Sequence, residues 1–468
     1  MIPSATAPAK TAIKTMDGIY WPVVRAMGQT GLAALISGLL SAVATKIMAL
    51  LGGPSAVATL ATLQQLRQAA VTGATGNGQT ALVRGASAPS GREQTEYVRT
   101  VACIFAGATG LIATGIIVWP QRLAALAGLG PPASHMMRWL ALPVALSSLL
   151  VFLSALLNTL GAIGWLAVLS TVGSAAAALG AGPAAHAFAG GHRSALVALL
   201  IFSAAASGAV ALAAVMGFRN QLTVWLREPG RWWSASAARN FAGMSAAMLA
   251  SGLAGSGALL VVRGHIAATQ GLTVTGQFDA AWGLSMNHVT LVLSSLQTYY
   301  LPALARSRNA AQRDAHISSV LTVAVLAAGG VIAAIALLKP WLLTLFYSSA
   351  FRPASRYLRW TLLGDYLKVT SWILSIPILA GAKMKMFLTA DLVAYCLFVA
   401  VAAGLAPSLT AASGAAVGFV AMYAAHALLC AFYLWRKLAF VPAPSAVAAW
   451  LAGLGLVTAA SVLTWRQT

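Results

Sequence analysis

Residues 317–338 read Ile-Ser-Ser-Val-Leu-Thr-Val-Ala-Val-Leu-Ala-Ala-Gly-Gly-Val-Ile-Ala-Ala-Ile-Ala-Leu-Leu, with Arg313 and Asp314 just before them and Lys339 just after. About 20 uncharged residues form a helix that crosses the ~30 Å hydrocarbon core of a bilayer. Comparable stretches recur at 29–51, 54–78, 99–119, 137–159, 162–184 and 194–217, then at 241–266, 278–303, 358–380, 386–406, 413–435 and 445–465. Inside lipid the backbone must satisfy its own polar groups, so repeated crossings of this length demand helices. The expected fold class is an all-α polytopic membrane protein with thirteen spans.

Composition agrees. Of 468 residues, 59% are apolar and only 8% charged, against about a quarter charged in a soluble domain. The charge is one-sided, with 29 Lys and Arg against 8 Asp and Glu, a formal +21. In a soluble chain that imbalance would suggest nucleic acid. With a mean hydropathy of +0.82 it instead matches basic residues collected in cytoplasmic loops. A nucleic-acid binder and a secreted enzyme are both excluded. Cys103, Cys396 and Cys430 are far apart in apolar runs, which predicts reduced, buried thiols and no metal site. No signal-peptide pattern precedes the first span, which should remain as an uncleaved anchor.

Placing the N-terminus inside puts 17 basic residues on the inner side. Eight fall outside: Arg122, Arg138, Arg193, Lys339, Arg352, Arg356, Arg359 and Arg466. This asymmetry is the positive-inside rule, and one missed helix would invert every later loop. The expected division is a cytoplasmic segment 1–27, a first lobe 28–218 of six spans, a linker 219–240 carrying several arginines, a second lobe 241–437 of six spans, and an extra span in 438–468. Four bases remain within spans: Lys46, Arg67, Arg263 and Lys368. Lys46 and Arg263 both sit near the outer end of the first helix of their half, a weak repeat signal. Duplicated halves around a midplane site are the usual build of secondary transporters.

Enzymatic chemistry lacks its parts. No break between spans is long enough for a catalytic domain. Gly76-Asn77-Gly78-Gln79-Thr80-Ala81 fits GxGxxA but ends a membrane helix with no strand before it, so it reads as a chance match. GxxxxGK[ST] and HExxH are both absent. No cofactor is expected.

Three groups of residues carry a family resemblance. Lys46-Ile47-Met48-Ala49-Leu50-Leu51-Gly52-Gly53-Pro54, with Leu63-Gln64-Gln65-Leu66 and Gly76-Asn77-Gly78, is similar to the opening helices of Wzx-type flippases. These form the O-antigen and enterobacterial-common-antigen branch of the multidrug/oligosaccharidyl-lipid/polysaccharide exporter superfamily. Thr298-Tyr299-Tyr300-Leu301-Pro302 resembles the end of that family's span 8, and Gly364-Asp365-Tyr366-Leu367-Lys368-Val369-Thr370-Ser371-Trp372 resembles its span 10. The resemblance implies two six-helix lobes around a central cavity that opens alternately to each side of the bacterial inner membrane. It implies an undecaprenyl-pyrophosphate-linked oligosaccharide as substrate, the bilayer as surroundings, and other membrane proteins of polysaccharide assembly as partners. Family members often carry Lys and Asp near positions 283 and 286, where this chain has Gly283 and Met286.

The in-span charges can each be read in two ways. Gln64, Arg67 and Gln68 share one helical face, either a cavity wall for phosphate and sugar hydroxyls or a hydrogen-bonded helix seam. Lys46 and Arg263 either face phosphate or snorkel to the interface. Lys368 follows Asp365 at the i,i+3 spacing of a salt bridge. That pair is either a strut or a working site, with Lys368 on pyrophosphate and Asp365 as the ion-coupling group. Asp279 reads as interfacial. Trp282, Tyr299, Tyr300, Tyr366 and Trp372 fit an interfacial belt better than sugar stacking. The seven His residues form no visible cluster, with His288 the only one well inside a span. The expected function is a lipid-linked oligosaccharide flippase. A drug or cation antiporter of the same superfamily is the rival, with a membrane-embedded assembly enzyme or scaffold behind it.

Overall fold

The computed structural model describes residues 32–86, 91–130, 133–218, 230–305, 307, 309–381, 383–405 and 408–464, with the side chains of 163, 287–292, 294–299, 301–303, 305 and 405 left out. The segment 1–27, most of the basic linker and the side chains of His288 and Tyr299 lie outside this description. Among the described residues there is no strand. The helices of the first half are α1 (Leu32–Leu51), α2 (Gly53–Thr75), α3 (Gln79–Ala86), α4 (Arg92–Val118), α5 (Pro120–Leu126), α6 (Ser134–Trp139), α7 (Ala141–Thr159), α8 (Ile163–Ala189) and α9 (Ala195–Gly217). A continuous stretch Ala235–Ala305 breaks at Gly271, whose φ of 82° is left-handed. We number its parts α10 (235–270) and α11 (272–305). Then come α12 (Ala310–Phe346), a 3-10 turn Ser349–Ala354, α13 (Ser355–Ala380), α14 (Met384–Ala400), α15 (Ala411–Leu438) and α16 (Pro444–Leu463).

Each of the thirteen expected spans falls on one of these helices. Eleven helical stretches among the described residues are long and apolar enough to cross a membrane by composition alone. The difference has two physical causes. Helix α2 has the length, but Gln64, Gln65, Arg67 and Gln68 lower its hydropathy. The α10–α11 stretch bends at Gly271 without a polar loop, so it counts once.

The halves meet along α2, which runs antiparallel to α10. Asn77 donates its side-chain amide to the Met248 carbonyl at 3.1 Å, Gln65 donates to the Ser256 carbonyl at 3.4 Å, and Arg263 reaches the Ala61 carbonyl at 3.5 Å. Gly276, at the start of α11, lies so close to α2 that a Cβ there would sit 1.9 Å from the Pro54 carbonyl oxygen. The Gly76-Asn77-Gly78 stretch is a helix end. Gly76 and Asn77 take φ of 62° and 49°, which these residue types tolerate, and a Cβ on Gly78 would strike the Phe241 ring at 2.3 Å.

Small residues set the remaining contacts, as van der Waals packing within lipid favours. Ser37 and Ser41 of α1 lie 3.3 Å from Ser170 and Ser174 of α8. Gly364 of α13 leaves room for Phe419 of α15, and Gly329 of α12 meets Gly453 of α16. The thirteenth span, α16, is therefore packed into the second half. Tyr366 donates to the Trp450 carbonyl at 2.6 Å, and Trp450 Nε1 donates to Thr370 at 3.0 Å. Two expectations change here. Tyr300 and Tyr366 are fully buried in the protein core and form neither a belt nor a sugar platform. Cys103 and Cys396 are exposed, and only Cys430 is buried.

Candidate functional site

Helices α1, α2, α7, α8 and α9 enclose a cavity of about 650 Å³ within the first half. The resemblance implied a cavity between the lobes, whereas every residue lining this one comes from the first half. Its polar lining is mainly hydroxyl: Ser41, Ser147, Ser154, Ser170, Ser174, Ser203 and Ser207. Leu60, Gln64 and Arg67 point into it from α2, a stripe at i, i+4 and i+7 that a helix places on one face. Arg67 sits mid-helix and half-buried, and no hydrogen-bond or ion-pair partner is found for it among the described residues. No carboxylate is among the described lining residues. The cavity is thus a cationic, hydroxyl-rich chamber in which one guanidinium keeps its five donors available.

The polar face read from the sequence divides. Gln64 and Arg67 line the cavity, whereas Gln68 is exposed outside its lining. Gln65 turns the other way, to α10, where its side-chain oxygen meets Arg263 at 3.4 Å.

The other three in-span bases are not in this cavity. Arg263 is 6% exposed and bonds through Nε to Asp279 at 2.6 Å. It joins α10 to α11 across the Gly271 break and touches α2, so it does not snorkel to the interface. Asp279 is correspondingly buried and not interfacial. Lys46 donates to the Thr344 carbonyl of α12 at 2.7 Å, a cation on the last turn of a helix, where the carbonyl dipoles favour it. That contact ties α1 to the second half.

Asp365 is fully buried and accepts from the Ser285 hydroxyl of α11 at 2.7 and 2.8 Å. Lys368, one turn further on, places its ammonium 3.0 Å from the Met286 sulfur and over the Tyr423 ring at 5.8 Å. The pair read from the i,i+3 spacing thus reaches out to α11 and α15. Met286, one of the two positions where this chain departs from its family pattern, is the neighbour Lys368 takes.

Sequence reading missed one buried cluster. Asp391 of α14 accepts a short hydrogen bond from Ser251 of α10 and pairs with His426 of α15 at 3.1 Å. The other ring nitrogen of His426 lies 3.8 Å from the Cys430 sulfur. His426 is inside a span, contrary to the expectation that His288 alone would be. His426 and Cys430 share a face at i,i+4, but the acid opposite them is 35 residues away, so no local spacing announced it.

No family model matches this chain. Over 156 residues it is 26% identical to the Lipid III flippases of Escherichia coli (strain K12) and Shigella flexneri. That alignment covers 33% of this chain and 37% of those proteins, so it spans little more than a third of their length. The backbone matches much further. Against the Lipid II flippase MurJ in an inward closed conformation the TM-score is 0.69 at 13% identity, covering 95% of this chain and 99% of that one. The chain has the MurJ fold. An inward-facing multidrug resistance MATE family transporter of the MOP superfamily shares it, with a TM-score of 0.64, 15% identity, and coverage of 91% and 95%. The superfamily inferred from the sequence motifs is the one whose fold is found.

Proposed function

We propose that this protein is a flippase for an undecaprenyl-pyrophosphate-linked oligosaccharide, working by alternating access in the bacterial inner membrane with its N-terminus inside. The observation that carries the reading is Arg67, a cation without a protein partner in a serine- and glutamine-lined cavity free of carboxylates among the described residues. A pyrophosphate and its sugars lose their hydration on entering the membrane, at a cost of several kcal/mol per unmatched polar group. Arg67 replaces water on the phosphate oxygens through charge-assisted hydrogen bonds. Gln64 and the serine hydroxyls replace it on sugar hydroxyls. The polyprenyl tail stays in lipid. The flippase relatives support the same substrate class, and O-antigen assembly is the pathway proposed, alongside other membrane proteins that build the glycan. A cation antiporter would need a carboxylate where this cavity presents a guanidinium.

The test is translocation of a lipid-linked oligosaccharide in cells and in proteoliposomes. Losing one charge-assisted contact costs about 1.5–3 kcal/mol, so Arg67→Ala should lower translocation by roughly 10- to 150-fold. Arg67→Lys should retain part of the activity. Wild-type translocation by a normally inserted Arg67→Ala variant would refute the assignment.

A further inference from the structure

Four of the eight basic residues assigned to the outer side gather at one place, where α12 ends and α13 begins. Arg352 of the 3-10 turn, Arg356 and Arg359 follow at i, i+4 and i+7. This spacing puts them on one side of the chain as it enters α13. Neither the turn nor the first turn of α13 contains an acidic residue. Three guanidiniums therefore oppose one another and the positive end of the α13 dipole.

A second observation points to a ligand. Lys339, in the last two turns of α12, is fully buried, and its ammonium has no hydrogen-bond partner. The charged side chain that bears on it is Arg359, another cation. A buried ammonium without a counter-charge is among the costliest arrangements a protein can hold. Asp279 pairs with Arg263 between α10 and α11. The missing element is an anion.

The depth of the site indicates which anion. Trp341, two residues beyond Lys339, is 61% exposed, and an exposed indole at the end of a membrane helix settles at the headgroup level. Arg359 lies over the Trp360 ring at 5.9 Å. The cluster thus lies where lipid phosphates are, and a helix N-terminus with arginines suits a phosphate group.

We propose that Lys339, Arg352, Arg356 and Arg359 form a binding site for the phosphate of an anionic lipid, separate from the Arg67 cavity. Its placement on the outer face rests on the orientation proposed above, whereas the site itself does not. Two lipids offer that chemistry, a resident anionic phospholipid and the polyprenyl pyrophosphate of the translocated molecule.

The test is thermal unfolding of the purified full chain in detergent. Its titrants are short-chain phosphatidylglycerol, short-chain phosphatidylcholine, farnesyl pyrophosphate and inorganic pyrophosphate. Phosphatidylglycerol or farnesyl pyrophosphate should raise the midpoint of the wild type, and the stronger of the two identifies the source. In Arg356→Gln/Arg359→Gln the midpoint response should need at least ten-fold more of that lipid. Lys339→Met removes the buried charge at similar volume. It should fold at a higher starting midpoint yet respond several-fold more weakly, and it serves if the double variant fails to fold. With phosphatidylglycerol as titrant Arg67→Ala should keep the full response, and the farnesyl pyrophosphate comparison is made in that Arg67→Ala background, so a failure of the transport reading remains distinguishable from a failure here. An unchanged response in the variants, an equal effect of phosphatidylcholine, or inorganic pyrophosphate matching the lipids would overturn the proposal.

Discussion

Arg263 and Asp279 offer the sharpest separation of a strut from a binding site. The perturbation is Arg263→Met, which keeps much of the side-chain volume but removes the charge. In the wild type Asp279 takes its bond from Arg263 Nε at 2.6 Å, while its other oxygen is buried without a partner. Loss of Arg263 therefore leaves a buried carboxylate with both oxygens unsatisfied. Removing one member of a buried pair costs about 3–5 kcal/mol. The additional Arg263 contacts to Gln65 and the Ala61 carbonyl, at 3.4 and 3.5 Å, are at the edge of hydrogen-bond geometry and add little. Replacing both partners by apolar groups of similar size is close to neutral. Arg263→Met and Asp279→Leu should thus each lower the unfolding midpoint sharply, and the combination should recover most of it. The assay is helical circular dichroism during heating of purified variants, with translocation measured on the same preparations. If Arg263→Met unfolds like the wild type yet has lost translocation, the strut reasoning is wrong and Arg263 belongs with the substrate site.

Three further outcomes follow from contacts elsewhere. Gly276→Ala would place a Cβ 1.9 Å from the Pro54 carbonyl, and because the obstacle is backbone the helices must part; overpacking of about 1–3 kcal/mol or more should appear as lower membrane abundance, whereas Gly257→Ala, which meets nothing within 4 Å, should be silent. Asp391→Leu strips Ser251 and His426 of their shared acceptor and should cost about 1–3 kcal/mol by thermal unfolding, with partial recovery when His426→Phe is added. Ser174→Leu intrudes on the cavity wall while leaving Arg67 in place, so translocation should fall with little change in the unfolding midpoint.

Several features were legible in the chain because they are local. A run such as 317–338 forms a spanning helix wherever it sits, since lipid offers the backbone no other partner. The polar interruption Gln64–Gln68 marked α2 as unusual for the same reason, and the i, i+3 and i+4 spacing placed Gln64 and Arg67 together. Which helix faced them was not local. The i,i+3 spacing of Asp365 and Lys368 put the two charges within each other's field, and packing added Ser285 and Met286 from α11. Arg263 and Lys46 looked equivalent in sequence, but Arg263 found Asp279 within its own half, across the Gly271 break, whereas Lys46 found the Thr344 carbonyl through the meeting of the two halves. The Asp391–Ser251–His426 cluster joins three helices separated by 140 and 35 positions, so no spacing encoded it. Hydropathy and helical periodicity are properties of a segment and fixed the all-α membrane architecture from the sequence alone. The pairing of a buried charge depends on which distant helix lies within about 3 Å of it, and only the folded chain decides that.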